Sequence, residues 1–209
     1  VYFRSQIPAE WYPSIVQMLF NLMAKDNLYQ NASLLVFEKF IFMKDIGEKV
    51  TTNTSKFSNC LNDSQTFSLV IQGLYPVIKN YNSQAMICFY KTLQLTKDEN
   101  YLQILSNISN IIIEIFNIII TKKSDDFNSD FNYNFFESIA FLLIKYKSLS
   151  GEKYLEFRNN INTIFIKCLN MNLPEINNYL FQIYAQEMIL DNDFNEMQNV
   201  IFNYNFIHY

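Results

Sequence analysis

The sequence predicts an all-α fold in which antiparallel helix pairs stack into an α-solenoid, with a compact helical bundle as the alternative fold. Two observations favour helices. Half of the 209 residues are hydrophobic, which is too apolar for a disordered chain. Glycine and proline occur only 3 and 4 times, whereas β-rich and α/β folds need turn residues every few positions. Long helices joined by polar loops fit both observations.

The first helix pair is predicted to begin near Pro8, because proline suits a first helical turn. Apolar residues then recur at helical spacing, at Ile15, Leu19, Leu22 and Met23. The second helix is predicted to start at Asn31 or Ser33 and to run to about Met43. It is apolar on nearly every side, so we expect an inner helix that neighbours bury.

The second helix pair follows a polar stretch from Asp45 to Asp63, which predicts a long loop. The third helix is predicted over Gln65 to Lys79, with Gly73 and Pro76 inside it. Because proline removes a backbone donor, we expect a kink or an early end there. The fourth helix is predicted from Ser83 to Leu95.

The fifth helix, predicted from Glu99 to Lys122, contains an isoleucine-rich run over 107–121. The polar residues of this run are three or four positions apart, as on one face of a helix: Asn107, Asn110, Glu114, Asn117 and Thr121. A membrane-spanning helix needs about 20 largely apolar residues, and a central carboxylate is costly there. The sequence therefore predicts a helix that is buried except for one solvent-exposed polar stripe (the wet stripe), and no membrane span.

The sixth helix follows an acidic stretch from Ser124 to Asp130. Its apolar positions have the steps of a helix face: Phe135, Ile139, Leu142, Leu143 and Tyr146. Ser150-Gly151 is predicted to break it, and a seventh helix follows from about Lys153 to Leu169. Pro174 is predicted to open an eighth helix that runs through Leu190, and a ninth begins near Phe194.

The predicted pairs start near residues 8, 65, 99, 151 and 194, which is close to the ~40–47 residues per repeat of HEAT-like arrays. We therefore expect one continuous stretch of about four to five HEAT-like repeats over residues 1–209. Val1 is not an initiator methionine, so we expect a fragment of a longer solenoid. A cut solenoid exposes apolar ends, and the isolated chain is then expected to aggregate.

Several functional classes are disfavoured by composition. The net charge of −4, a pI near 5.0 and the lack of a basic stripe argue against nucleic acid as a partner. Cys60, Cys88 and Cys168 lie far apart without zinc-ligand spacing, which indicates a reduced compartment. His208 is the only histidine, so a Ser-His or Cys-His nucleophile is not expected. We expect no enzyme activity, no cofactor and no metal.

Two acidic motifs resemble metal sites without completing them. Asp125-Asp126-x-x-x-Asp130 resembles the metal-binding aspartates of helical prenyl-transferring enzymes, but no second acidic cluster accompanies it. We expect a solvated loop with Asp130 near a helix start, and an all-α enzyme as an alternative. Asp191-x-Asp193-x-Asn195 opens like a calcium loop, yet Glu196 and Phe202 replace the required glycine and glutamate. We expect an inter-helix turn there.

Four stretches of the sequence carry a resemblance to one family: Phe3–Pro8, Phe37–Met43, Phe131–Ile139 and Glu175–Ile183. In this order and at these separations they resemble the middle of the CAS exportin family, the importin-α re-exporters of the importin-β superfamily. The third stretch departs from the family at Tyr133-Asn134, and the fourth departs at Asn178. Pro76 also departs from the family's regular helix.

The resemblance implies a nuclear transport receptor that does no chemistry. Such exportins bind importin-α together with Ran-GTP in the nucleus, pass the nuclear pore and its components, and release importin-α in the cytoplasm. This chain would be a central span of such a receptor. No partner-binding residue can be named from the resemblance. The alternative is a generic HEAT-repeat scaffold subunit of another protein assembly.

Overall fold

The computed structural model describes residues 7–42, 60–96, 98–121, 128–149, 151–171, 176–179 and 181–183. Every regular element in these ranges is helical, which confirms the predicted all-α class. A 3₁₀ turn, Ala9–Trp11, precedes the first α-helix. The α-helices are α1 Tyr12–Met23, α2 Asn27–Phe42, α3 Ser64–Lys79, α4 Ser83–Leu95, α5 Asp98–Thr121, α6 Ser129–Leu149 and α7 Gly151–Met171. Residues 176–179 and 181–183 are also helical.

The chain divides into two compact units, Val1–Asn134 and Phe135–Tyr209. In the first unit, α1 packs on α2 and α3 packs on α4. Each pair is joined by a short turn, Ala24–Asp26 or Asn80–Asn82, and such turns connect antiparallel neighbours.

The two helix pairs of the first unit lie against each other. α1 packs on α3, α2 packs on α4, and α5 packs on the other side of the second pair, against α3. Helices α1, α3 and α5 therefore form one layer, and α2 and α4 form a second layer behind it. The apolar sides of both layers meet in a core whose largest fully buried side chains include Tyr12, Phe37, Phe67, Phe89 and Phe116.

The contact between α1 and α3 depends on Gly73. A Cβ atom at this position would lie 2.5 Å from the ring of Phe20, closer than side chains approach one another. Phe20 packs in turn against Phe37 of α2, with ring centroids 5.3 Å apart. Because glycine has no side chain, the Phe20 ring of α1 can contact the backbone of α3 directly.

Of the kink or early end expected in α3 at Gly73 and Pro76, the early end is wrong, because α3 continues to the predicted Lys79. Pro76 lies near the end of the helix, on the side that is exposed to solvent. The helix accommodates a missing donor there because six buried apolar side chains fix the opposite face: Phe67, Val70, Ile71, Leu74, Val77 and Ile78.

The predicted start of α2 is also wrong. The helix begins at Asn27 rather than at Asn31 or Ser33. The carboxylate of Asp26 accepts a hydrogen bond from the backbone N–H of Tyr29 at 3.0 Å, which satisfies a free donor of the first turn. The preference of aspartate for this position is a local signal that the sequence contained.

The first α-helix begins at Tyr12, four residues after the predicted Pro8, because Ala9–Trp11 form a 3₁₀ turn. The remaining predicted boundaries agree with the structure within two residues or less wherever the structure describes both. The fourth helix spans Ser83–Leu95 as predicted, and α5 starts one residue earlier than predicted. Gly151 begins α7, two residues before the predicted Lys153. Residues 45–59 of the predicted loop, most of the predicted eighth helix and the predicted ninth helix lie outside the described residues.

The second unit has its own apolar core. Phe135, Ile139, Leu142 and Leu143 are buried, as the periodicity of the sixth helix predicts. Phe136 stacks on Tyr179 with ring centroids 5.1 Å apart and planes 11° apart. Tyr154, Phe157 and Ile161 bury one face of α7.

Candidate interaction surfaces

The predicted wet stripe of α5 is confirmed. Asn107, Asn110, Glu114, Asn117 and Thr121 are all exposed, whereas the opposite side buries Ile108, Ile112, Ile115, Phe116 and Ile119. The stripe lies in one layer with the exposed sides of α1 and α3. Together they form a surface that we term the amide face, defined by Gln17, Asn21, Gln65, Gln72, Asn107, Asn110, Glu114 and Asn117.

The amide face is polar but nearly neutral. Its side-chain amides offer both donors and acceptors, and some of its polar groups bond to each other. Gln17 donates to Asn21 at 3.1 Å and Gln72 donates to Ser68 at 3.1 Å. Such a surface provides many hydrogen-bonding groups without the strong field of a charged patch.

Two grooves run between the helices of this layer. The larger one, of about 880 Å³, lies between α1 and the start of α3. Among the described residues its lining is Pro13, Ser14, Gln17, Met18, Asn21, Leu22, Lys25, Asp63, Gln65, Thr66 and Leu69. The smaller groove, of about 230 Å³, lies between α3 and α5 and is lined by Ser68, Ile71, Gln72, Tyr75, Asn107, Ile108, Asn110 and Ile111.

A small charged cluster joins α3 to α5 beside the smaller groove. The Tyr75 hydroxyl donates to the Glu114 carboxylate, and Lys79 Nζ lies 3.3 Å from Glu114 Oε2. The Lys79 ammonium also lies 5.1 Å from the centroid of the Tyr75 ring. Because both charged side chains are about half exposed, this pair contributes little to stability and acts mainly as a surface feature.

Asp63 caps α3 at the edge of the larger groove. Its carboxylate accepts hydrogen bonds from the hydroxyl and from the backbone N–H of Thr66, both at 2.8 Å. The Thr66 hydroxyl bond, followed by the backbone bond, lowers the pKa of Asp63 below its ordinary 3.8. The carboxylate is therefore ionised at neutral pH and adds a negative charge at the groove.

Tyr81 occupies the turn between α3 and α4 with a φ of 61°, which is unusual for a residue that carries a side chain. Its hydroxyl donates to Oδ1 of the buried Asn132 at 2.6 Å, and its ring lies 4.2 Å from that of Phe131. Burial raises the pKa of Tyr81 above its ordinary value. The turn is thus fastened to the first residues of α6, and these contacts offset the cost of the backbone conformation.

The turn and α6 share a second link, through Asn128. Its amide nitrogen donates to the Ser83 hydroxyl at 2.5 Å, and its oxygen accepts from the backbone N–H of Phe131 at 3.1 Å. Asn128 therefore caps α6 while it holds the start of α4. Sequence reasoning missed both Tyr81 and Asn128, although an asparagine before a helix is a recognisable cap.

The first helix pair exposes an unusual amount of apolar surface. Of the nine large apolar side chains that the described residues leave exposed, six belong to this pair and the turn before it: Trp11, Met18, Leu28, Tyr29, Leu35 and Val36. The expectation that neighbours bury the second helix is therefore correct for Leu34 and Phe37 and wrong for the opposite side of α2.

The motifs considered for chemistry are only partly described. Asp130 is exposed in the first turn of α6, as expected. Asp125, Asp126, the motif that begins at Asp191, and His208 lie outside the described residues.

The structure describes two of the three cysteines. Cys88 is buried, and burial raises the pKa of its thiol to about 12. This thiol stays protonated at neutral pH. Cys60 is partly exposed.

Two findings concern ligands and membranes. In the ranges that the structure describes, no three His, Cys, Asp or Glu side chains form a group able to hold a metal ion. No helix of the described part of the chain combines the length and the apolar character needed to cross a membrane.

Comparisons of the chain with protein-family models, with curated proteins and with solved structures gave no match.

Proposed function

We propose that the chain is a span of a helix-pair solenoid and serves as a non-catalytic binding scaffold of the nuclear transport receptor type. The carrying observation is the packing of α1 on α3 and of α2 on α4, with α5 on the far side of α3. The first helix of one pair packs on the first helix of the next pair, and the second helix packs on the second. Further pairs can therefore be added in the same way. One pair cannot bury its apolar sides, whereas a stack of pairs can.

The positions of the family-like residues support the resemblance on which the transport role is based. In the stretch Phe131–Ile139, the side chains of Phe131, Phe135, Phe136 and Ile139 are buried in α6. Tyr133, where the stretch departs from the CAS exportins, is half exposed. The resemblance therefore follows core positions, and the departure falls where packing constrains the residue less.

The proposed role is export of importin-α from the nucleus together with Ran-GTP, in a protein that shuttles through the nuclear pore. A stack of helix pairs has many similar interfaces, and small changes at each interface add up to a change in curvature. Ran-GTP and importin-α then favour the same wrapped state, so each increases the affinity for the other. The first unit contributes the amide face and its grooves as contact surfaces for a partner protein.

Binding of importin-α by the complete protein that contains this chain tests the proposal. The protein is immobilised, and importin-α binding is measured with Ran-GTP, with Ran-GDP and without Ran. Binding that requires Ran-GTP is the expected result. Equal binding in all three conditions, or none, contradicts the transport role and leaves a generic HEAT-repeat scaffold.

The amide face is tested with matched variants in the same assay. Gln72→Lys and Asn110→Lys place a positive charge on the face, and Gln94→Lys places the same charge on an exposed position of α4 outside it. Weaker partner binding by the first two alone is expected. Equal affinity of all three variants removes the amide face from the contact surface.

The solenoid is tested by small-angle X-ray scattering of the chain as a monomer. A compact 209-residue bundle has a radius of gyration of about 17 Å. A stack of helix pairs gives a clearly larger value and an asymmetric distance distribution. A radius of gyration near 17 Å would favour the alternative fold, the compact helical bundle.

A further inference from the structure

The turn between α3 and α4 holds one residue in a backbone conformation that its side chain disfavours. Tyr81 has a φ of 61°, and among the described residues other than glycine it alone has a positive φ. Asparagine adopts this conformation more readily than a bulky residue does, and Asn80 and Asn82 stand on either side of Tyr81. The turn therefore keeps backbone strain at a tyrosine although a more tolerant residue type is next to it on both sides.

The contacts that hold Tyr81 in place all lead to the first residues of α6. Its hydroxyl donates to Asn132 Oδ1 at 2.6 Å and accepts from the backbone N–H of Asn128 at 3.4 Å. Its ring centroid lies 4.2 Å from that of Phe131, which is fully buried. Beside the tyrosine, the Asn128 side-chain amide donates to the Ser83 hydroxyl at 2.5 Å. Hydrogen bonds and a ring contact thus join two segments of the first unit that are distant in sequence.

These contacts are expected to form and break together. One hydroxyl both donates and accepts, so movement of the Tyr81 side chain breaks both hydrogen bonds and separates its ring from that of Phe131. The cap of α6 depends on the same residues, because Asn128 Oδ1 accepts from the backbone N–H of Phe131 and the Asn128 carbonyl accepts from that of Asn132. Release also lets the backbone of Tyr81 return to a negative φ, and the strain that this removes offsets part of the lost contacts.

We infer that Tyr81 is a conformational catch, which closes and opens the junction between the α3–α4 turn and the start of α6 while α3, α4 and the rest of α6 stay folded. Folded proteins open locally in such cooperative segments at a lower free-energy cost than that of global unfolding. The catch goes beyond the transport role and is observable in the chain alone. In the proposed stack of helix pairs it is one of the interfaces at which the curvature changes, and this meaning alone rests on the proposed function.

The test is hydrogen–deuterium exchange of the 209-residue chain, read for single amides by mass spectrometry at several urea concentrations below the unfolding transition. The backbone amides of Tyr81, Phe131 and Asn132 are expected to exchange through one opening, with the same opening constant and little dependence on urea. The amide of Phe89, a fully buried residue in the centre of α4, is the reference. It is expected to exchange only through global unfolding, which rises steeply with urea.

Variants on both sides of the junction show whether its two segments are coupled. Tyr81→Phe removes the hydroxyl and keeps the ring, and it is expected to raise the opening constant about fivefold at the turn and at the first residues of α6 alike. Ser83→Ala removes the acceptor of the Asn128 amide and is also expected to raise exchange at the start of α6. Tyr133→Phe removes the hydroxyl of a half-exposed residue of α6 and is the matched control, expected within about twofold of the parent. Circular dichroism confirms that each variant is folded.

Three outcomes overturn the catch. The first is exchange of Tyr81, Phe131 and Asn132 with the same urea dependence as Phe89. The second is an opening constant that differs between the turn and α6, as simple fraying of the helix end gives. The third is unchanged exchange at the start of α6 in the Tyr81→Phe variant. Because none of these readouts involves importin-α or Ran, failure of the catch and failure of the transport role are distinguished.

Discussion

Two sides of the first helix pair carry similar apolar side chains in opposite environments. On one side Phe20 and Phe37 are 7% and 0% exposed, because α3 and α4 cover them. On the other side Met18 and Val36 are 54% and 45% exposed, although they lie on the same two helices. Hydrophobicity alone therefore does not distinguish the two sides, and only the packing shows which one the described helices cover.

The largest difference is expected between truncations on the two sides of α1. Phe20→Ala removes a ring that contacts α2 and α3 and is expected to lower the free energy of unfolding by about 3–5 kcal/mol. Met18→Ala removes a half-exposed side chain and is expected to change the stability of the monomer by less than about 0.5 kcal/mol. Urea unfolding followed by circular dichroism measures both, at concentrations where the chain is monomeric. Equal losses would mean that the two sides are not packed differently.

A methyl group at Gly73 tests how closely the covered side is packed. Gly73→Ala places a Cβ atom against the Phe20 ring, and overpacking of this kind costs about 1–3 kcal/mol, partly offset by the better helix propensity of alanine. Gly151→Ala is the control, since nothing lies within 4 Å of the added atom. Thermal unfolding of both variants is compared with the parent. A stabilised Gly73→Ala variant would show that α1 and α3 do not approach as described.

A partly buried and an exposed tyrosine hydroxyl provide a second comparison. Tyr81 lies in the turn between α3 and α4 and contacts α6. Tyr81→Phe removes the hydrogen bond to the buried Asn132 and is expected to cost about 1–2 kcal/mol. Tyr133→Phe removes a hydroxyl from a half-exposed ring on α6 and is expected to be nearly neutral. Chemical denaturation distinguishes them. Equal stability of the two variants would mean that the hydrogen bond of Tyr81 does not stabilise this turn.

The smallest expected effect concerns Asp63, the cap of α3. Asp63→Ala is expected to cost about 1 kcal/mol at pH 7, because the first turn loses its acceptor. The pKa of Asp63 is lowered in the folded state, so its contribution is complete above the ordinary 3.8 and is lost as the pH falls through the folded-state value.

Asp63→Asn separates the two roles, since it keeps a capping oxygen and cannot titrate. Its stability relative to the parent is therefore expected to improve below pH 3.8, whereas Asp63→Ala stays destabilised at pH 7. Unfolding measured at pH 7 and pH 3 checks both. A parent and an Asp63→Asn variant with the same pH dependence would contradict the assigned hydrogen bonds.

The sequence by itself determined the helices of the described chain and much of their polarity. The spacing of Asn107, Asn110, Glu114, Asn117 and Thr121 gave the wet side of α5 correctly, because a helix presents residues three and four apart to the same environment. The scarcity of glycine and proline indicated an all-α fold for an equally local reason. The start of α2 at Asn27 was also available locally, through the capping aspartate before it.

Only the tertiary structure decided the roles of Gly73 and Tyr81 and the one-sided burial of α2. A glycine inside a helix predicts weakness from sequence, yet here it admits the ring of Phe20, which lies 53 positions earlier in the chain. Tyr81 tolerates its backbone conformation because Asn132 and Phe131 hold its side chain. Contacts between residues distant in sequence carry no periodic signal. Periodicity therefore determined which faces of these helices are apolar, and packing determined which of those faces the other described helices cover.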